Sequence, residues 1–94
     1  MTITAQRTFT RPNTDTPFFQ GDATWQEHMF TNYTLTGKRL GVNQILSPDG
    51  LVLTTTTQWN DETSLNEFKV DQTIQGPRDE YCSQHGITST TIII

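Results

Sequence analysis

Arg7 is the residue hardest to place without invoking chemistry. In the run Thr2 to Thr10, Ile3, Ala5, Arg7 and Phe9 share one face, while Thr4, Gln6, Thr8 and Thr10 share the other. That period-two alternation is the signature of a strand. A guanidinium stays charged at physiological pH and is costly to bury without a partner. Arg7 must therefore pair with a carboxylate such as Glu67 or Asp71, carry its head out to water, or clamp an anionic ligand at the mouth of an apolar pocket. His28 has the side chain best suited to general acid–base work near neutrality. Its close neighbours in the chain are Asp22 and Glu27, and no nucleophile stands at a fixed spacing from it, so a half-buried helix histidine is the alternative. Trp59 either fills a core or forms a pocket wall against a flat ligand. With Trp25, Met29 and Phe68, these three make the candidate ligand-binding set, and Arg7 and His28 are its candidate catalytic members.

Other reactive groups lack the company that chemistry requires. Cys82 is the single cysteine, which excludes a disulfide scaffold and any multi-cysteine metal cluster. Tyr81 and Cys82 read as core or contact residues. His85 precedes Gly86, where an imidazolium would favour the end of a helix. Asp61, Glu62, Glu67 and Asp71 read as a solvated helix face with a cap, since hard cations need denser oxygen ligands, so no metal is expected. Phosphate-cradling glycine loops, a G-x-S-x-G elbow and an H-E-x-x-H pair are all missing from the sequence.

The chain has 94 residues, enough for one domain spanning 1–94. Six basic against ten acidic residues give a net charge of -4, and no basic run exists to neutralise phosphates, so nucleic acid is an unexpected partner. No apolar stretch approaches the roughly 18 residues of a membrane-spanning helix. A basic start followed by an apolar segment is also lacking, so a cytoplasmic location is expected.

The elements that must position the candidates follow from turn and cap signals. After the first strand, Arg11-Pro12-Asn13 turns the chain. A helix is expected over Pro17 to Tyr33, with Thr16 as cap and Pro17 in the first turn, or from Asp22 if Gly21 delays it. Phe18, Trp25, Met29 and Tyr33 would share its inner face. Strands Lys38 to Leu46 and Leu51 to Trp59 flank the turn Ser47-Pro48-Asp49-Gly50. With Leu46 opposite Leu51, the side chains of Leu40, Val42, Leu53 and Trp59 point the same way. A second helix opens at Asn60-Asp61-Glu62, and Gly76-Pro77 should interrupt it. A further helical piece, Pro77 to His85, ends at Gly86, and Ile87 to Ile94 forms the last strand.

This order predicts an α+β, ferredoxin-like βαββαβ domain: a four-stranded antiparallel sheet with its helices on one face. The opposite face carries Thr4, Gln6, Thr8, Ile45, Val52 and Thr54, too apolar to remain wet on a sheet with open edges. A homodimer is the expected way to cover it.

The chain resembles the dimeric α+β barrel superfamily of antibiotic-biosynthesis and heme-degrading monooxygenases. Thr36-Gly37, the Ser47-Pro48-Asp49-Gly50 hairpin and Thr57-Gln58-Trp59-Asn60-Asp61-Glu62 leading into Leu65 and Phe68 carry the resemblance. It implies a barrel formed by two sheets and a pocket between each sheet and its helices. The heme-degrading members place an Asn on the first strand, a Trp late in the third and a His on the second helix. Trp59 matches, but Gln6 or Arg7 stands at the first mark and Lys69 at the last, so no heme or other cofactor is expected. Three readings remain open. The chain is a dimeric binder of a small apolar or carboxylate-bearing ligand, a cofactor-independent monooxygenase using Trp25, His28, Arg7 and Trp59, or a structural dimer with no ligand.

Overall fold

The computed structural model describes residues 2–94. Threonine and other β-branched residues resist helix and suit a pleated surface, and they build strands β1 (Ile3–Thr10), β2 (Arg39–Leu46), β3 (Val52–Trp59) and β4 (Thr88–Ile93). The sheet has the order β2-β3-β1-β4 and every pairing is antiparallel. The helices are α1 (Ala23–Met29), α2 (Glu62–Val70) and α3 (Gln72–His85), and a π-helical turn at Phe30–Thr34 prolongs α1. This is the expected ferredoxin-like α+β arrangement.

Pairing partners share a face, so the register assigns every strand side chain. Ile3 faces Trp59, Ala5 faces Thr57, Arg7 faces Thr55 and Phe9 faces Leu53 on the helix side. Thr4, Gln6, Thr8, Asn43, Ile45 and Thr54 lie on the other, as alternation required. Leu46 pairs with Leu53 and not Leu51, because the loop is held by Gly50 N–H donating to the Ser47 carbonyl and Ser47 N–H to that of Val52. The two-residue shift preserves parity, so the faces survive. Leu40 does not. A bulge between Arg39 and Gly41 sets Arg39 opposite Trp59, and Leu40 is left exposed.

The helices depart further from expectation. Residues 17–22 are not helical, and the cap of α1 is Asp22, whose carboxylate accepts from Trp25 N–H at 2.8 Å, so Thr16 is no cap. Phe18 thus leaves the inner face of α1 and joins Phe9, Cys82 and Ile87 in a separate apolar cluster. The interruption expected at Gly76-Pro77 comes instead at Asp71, whose backbone is extended. Pro77 lies inside α3, which ends at Gly86 in the left-handed conformation with φ 68°. Asp61 caps α2 through Ser64 N–H.

The main core gathers Ala5, Met29, Tyr33, Trp59, Leu65 and Ile74. Trp59 is its pivot at 2 % exposure, with Tyr33 edge-on at 5.9 Å and Phe68 at 4.8 Å between ring centroids. Among the described residues, no helix is long and apolar enough to cross a membrane.

The chain enters α1 beneath the indole of Trp25. A Cβ on Gly21 would lie 2.2 Å from that ring, so the close approach demands glycine. Gly21→Ala should cost about 1–3 kcal/mol of stability through forced displacement of Trp25. The check is thermal melting together with a red shift of tryptophan emission.

Candidate functional site

The helices cover β1 and part of β3 but stop short of β2. Val42 and Leu46, on the helix side by register, therefore remain 52 % and 51 % exposed. Between the uncovered sheet and the helices runs a cleft of about 1160 Å³, open to solvent along one side. Trp59, Thr55 and Thr57 of β3 form its floor, and Trp25, Met29 and Phe68 come down from the helices. Trp25 is fixed as a wall by its indole N–H donating to the Ile74 carbonyl at 3.0 Å.

The polar groups of the cleft are predominantly basic. Five of the chain's six basic residues, Arg7, Arg11, Arg39, Lys69 and Arg78, line it. Among the described residues, Asp79 is the one carboxylate that does so. Arg11 has structural work, donating to the carbonyls of Gly50 and Thr16 while its guanidinium lies over Phe18. Arg39 donates to Thr34 Oγ1 at 2.8 Å, and burial lowers its pKa.

Arg7 neither pairs with the carboxylates expected of it nor swings free. Glu67 is taken by Lys38 Nζ at 2.6 Å, and Asp71 by groups from the α1 segment. Arg7 instead donates to Ser89 Oγ at 3.0 Å and Gln75 Oε1 at 3.4 Å, and lies 3.5 Å from Asp79. Arg78 stands beside it at 8 % exposure, with its guanidinium near the rings of Phe9 and Phe68. It donates to Gln75 Oε1 and, among the described residues, pairs with no carboxylate. Burial first, and then the charge of Arg7, push its pKa down to about 10. The Nε atoms of Arg7 and Arg78 are both buried without a protein partner. Sequence reasoning missed Arg78, although Ile74, Arg78 and Cys82 at four-residue spacing mark a buried helix stripe with a cation at its centre.

Of the candidate set, Arg7, Trp25, Met29, Trp59 and Phe68 meet in the cleft, and His28 does not. Its Nε2 lies 2.8 Å from Asp71 Oδ2, which also accepts from the Tyr33 hydroxyl at 2.5 Å. Burial alone would raise the Asp71 carboxyl, but the hydrogen bonds from Tyr33 and His28 outweigh it and hold it below the usual range. Burial and the same hydrogen bond push the Tyr33 phenol upward. Among the described residues no group of His, Cys, Asp and Glu is arranged to hold a metal.

No protein-family model and no curated protein matches the sequence. Solved structures do match in shape. SnoaB, a cofactor-independent oxygenase from Streptomyces nogalater, superposes with a TM-score of 0.70 at 11% identity, over 99% of this chain and 90% of that one. The monooxygenase ActVA-Orf6 of Streptomyces coelicolor, solved with nanaomycin D, gives 0.59 at 17% identity over 98% and 86%. A dimeric ferredoxin-like protein from an uncultured marine organism gives 0.58 at 8% identity over 99% and 94%. The chain has their fold. The likeness to antibiotic-biosynthesis monooxygenases drawn from the hairpin and the Trp59 passage holds at that level.

The Asp71 cluster makes a prediction with a definite sign. A carboxyl held low by folding adds stability that is fully present above about pH 4 and is lost as pH falls through the folded value. Tyr33→Phe and Asp71→Asn should each cost about 1 kcal/mol at pH 7. For Asp71→Asn the gap to wild type should stay level down to about pH 4 and close below it, as followed by urea melts across pH.

Proposed function

We propose that the protein binds a small, flat, apolar molecule carrying negative charge in the cleft between sheet and helices. One observation carries this reading: a chain of net charge -4 gathers five of its six basic residues around one apolar cleft, against a single carboxylate. A buried cation without a counter-charge, as Arg78 is, is unfavourable in the free protein, and an anionic ligand relieves that cost on binding. The aromatic side chains supply surface for the apolar body of the ligand. Native mass spectrometry of protein purified from its own cells should reveal an anionic, apolar adduct. Thr55→Trp, which fills the cleft floor with a strand-compatible side chain, should lose it. An adduct-free wild type whose melting temperature ignores aromatic acids would overturn the reading.

A second reading is favoured by the fold shared with SnoaB and ActVA-Orf6. In it the bound anion is an electron-rich phenolate that reacts with molecular oxygen. The cleft would hold the phenolate beside Arg7 and Arg78 and restrict water. His28, turned toward Asp71, would take no direct part.

We further propose that the threonine-rich sheet face pairs with a second copy. Ile45 and Ile92 on that face are 61 % and 53 % exposed, beside Thr54 and Thr90. The likeness to a dimeric ferredoxin-like protein supports this. Sedimentation should give twice the 10.7 kDa chain mass, and Ile45→Asp, at an exposed position that folding does not need, should return the single-chain value.

A further inference from the structure

We propose that Arg7, Gln75 and Arg78 form a subsite for the carboxylate of an aromatic acid, with Gln75 as the residue that positions the two guanidiniums. The assignment rests on the cleft-binding reading and names both the charged group and its seat. Gln75 Oε1 accepts from Arg78 Nη2 and from Arg7 Nη1, so one neutral oxygen holds two like charges together. Gln75 is 5 % exposed and is anchored in turn by Nε2 donating to the Phe68 carbonyl at 2.9 Å. Its oxygen is thus a fixed part of the protein.

The choice of amide at this position matters. A glutamate would cancel one charge and lose the donor to the Phe68 carbonyl, whereas glutamine bonds both arginines and adds no charge of its own. Nε of Arg7 and Nε of Arg78 are each buried without a protein partner, the latter on a residue more than nine-tenths buried, so the protein itself leaves the pair incompletely satisfied. Two neighbouring planar guanidiniums suit the two oxygens of a carboxylate. A phenolate has one oxygen and would serve one fork. A phosphate monoester brings a second negative charge, which Asp79, 3.5 Å from Arg7, opposes at the mouth. The ring of Phe68, its centroid 5.6 Å from the Arg78 guanidinium, extends the site toward an aromatic body.

The test titrates 2-naphthoate, 2-naphthamide and 2-naphthyl phosphate into full-length protein, read by tryptophan fluorescence, with each variant's fold checked by circular dichroism. Wild type should bind naphthoate about tenfold or more tightly than naphthamide, and more tightly than the phosphate. Gln75→Glu places a near-isosteric carboxylate between the arginines. It should abolish the preference for naphthoate over naphthamide. Arg78→Gln should abolish the preference as well, and Asp79→Asn, on the exposed rim, should strengthen naphthoate binding. A preference that survives Gln75→Glu but disappears in Arg39→Gln would overturn the subsite and leave the anion-binding cleft standing. Phosphate binding equal to or tighter than naphthoate would overturn the carboxylate assignment. Failure of all three probes to bind would remove the cleft reading and the subsite together.

Discussion

The placement of the helices turns on the Asp71 carboxylate. One oxygen, Oδ2, receives the Tyr33 hydroxyl and stands against His28, both from the α1 segment, while Oδ1 accepts from Thr73 N–H at the start of α3. Asp71 also ends α2 with an extended backbone. A single side chain thereby ties the π-helical turn to the α2–α3 corner and sets the angle at which α3 leaves it. The direction of α3 decides which of its residues look back at the sheet, and these are Ile74, Gln75, Arg78 and Cys82. The basic side of the cleft is thus a consequence of a polar contact lying outside it.

The sheet was the more legible half of the chain. Alternation in β1 and the hairpin joining β2 to β3 fix which face each residue takes, and a register error of two residues leaves that assignment intact. Helix ends with a side-chain cap or a left-handed glycine, at Asp61 and Gly86, were equally readable because their cause is local. The break at Asp71 was not, because its cause lies in Tyr33 and His28, some forty residues earlier in the chain. Gly76-Pro77 looked like the stronger breaker on propensity, yet the α2–α3 corner had already been fixed at Asp71, and the proline is carried inside α3. The bulge at Leu40 has no local signal of comparable strength.

The candidate site divides along the same line. Arg7, Trp25, Met29, Trp59 and Phe68 could be gathered from periodicity alone, since each lies on the inner face of its element. His28 was misplaced because its partner comes from the α2–α3 corner, whose position the sequence does not display. Arg78 was overlooked because a helical arginine usually belongs to a solvated face. Only the three-dimensional stripe of Ile74, Arg78 and Cys82 shows it to be interior.

The electrostatics of the cleft follow from where its charges sit relative to water. Asp79 is 62 % exposed, and an ion pair at such a rim contributes at most about 1 kcal/mol, so it does little to neutralise the interior. Arg78 is shielded from solvent, and the field around it is screened far less than that of a surface charge. Outside the cleft the chain is strongly acidic, since nine of its ten carboxylates do not line it. A small hydrated anion meets net repulsion from that surface and forfeits its hydration on entry. The proposed ligand, with its apolar body, would recover that loss by burying ring surface against Trp25 and Phe68. On the proposed reading, charge and hydrophobic contact select together.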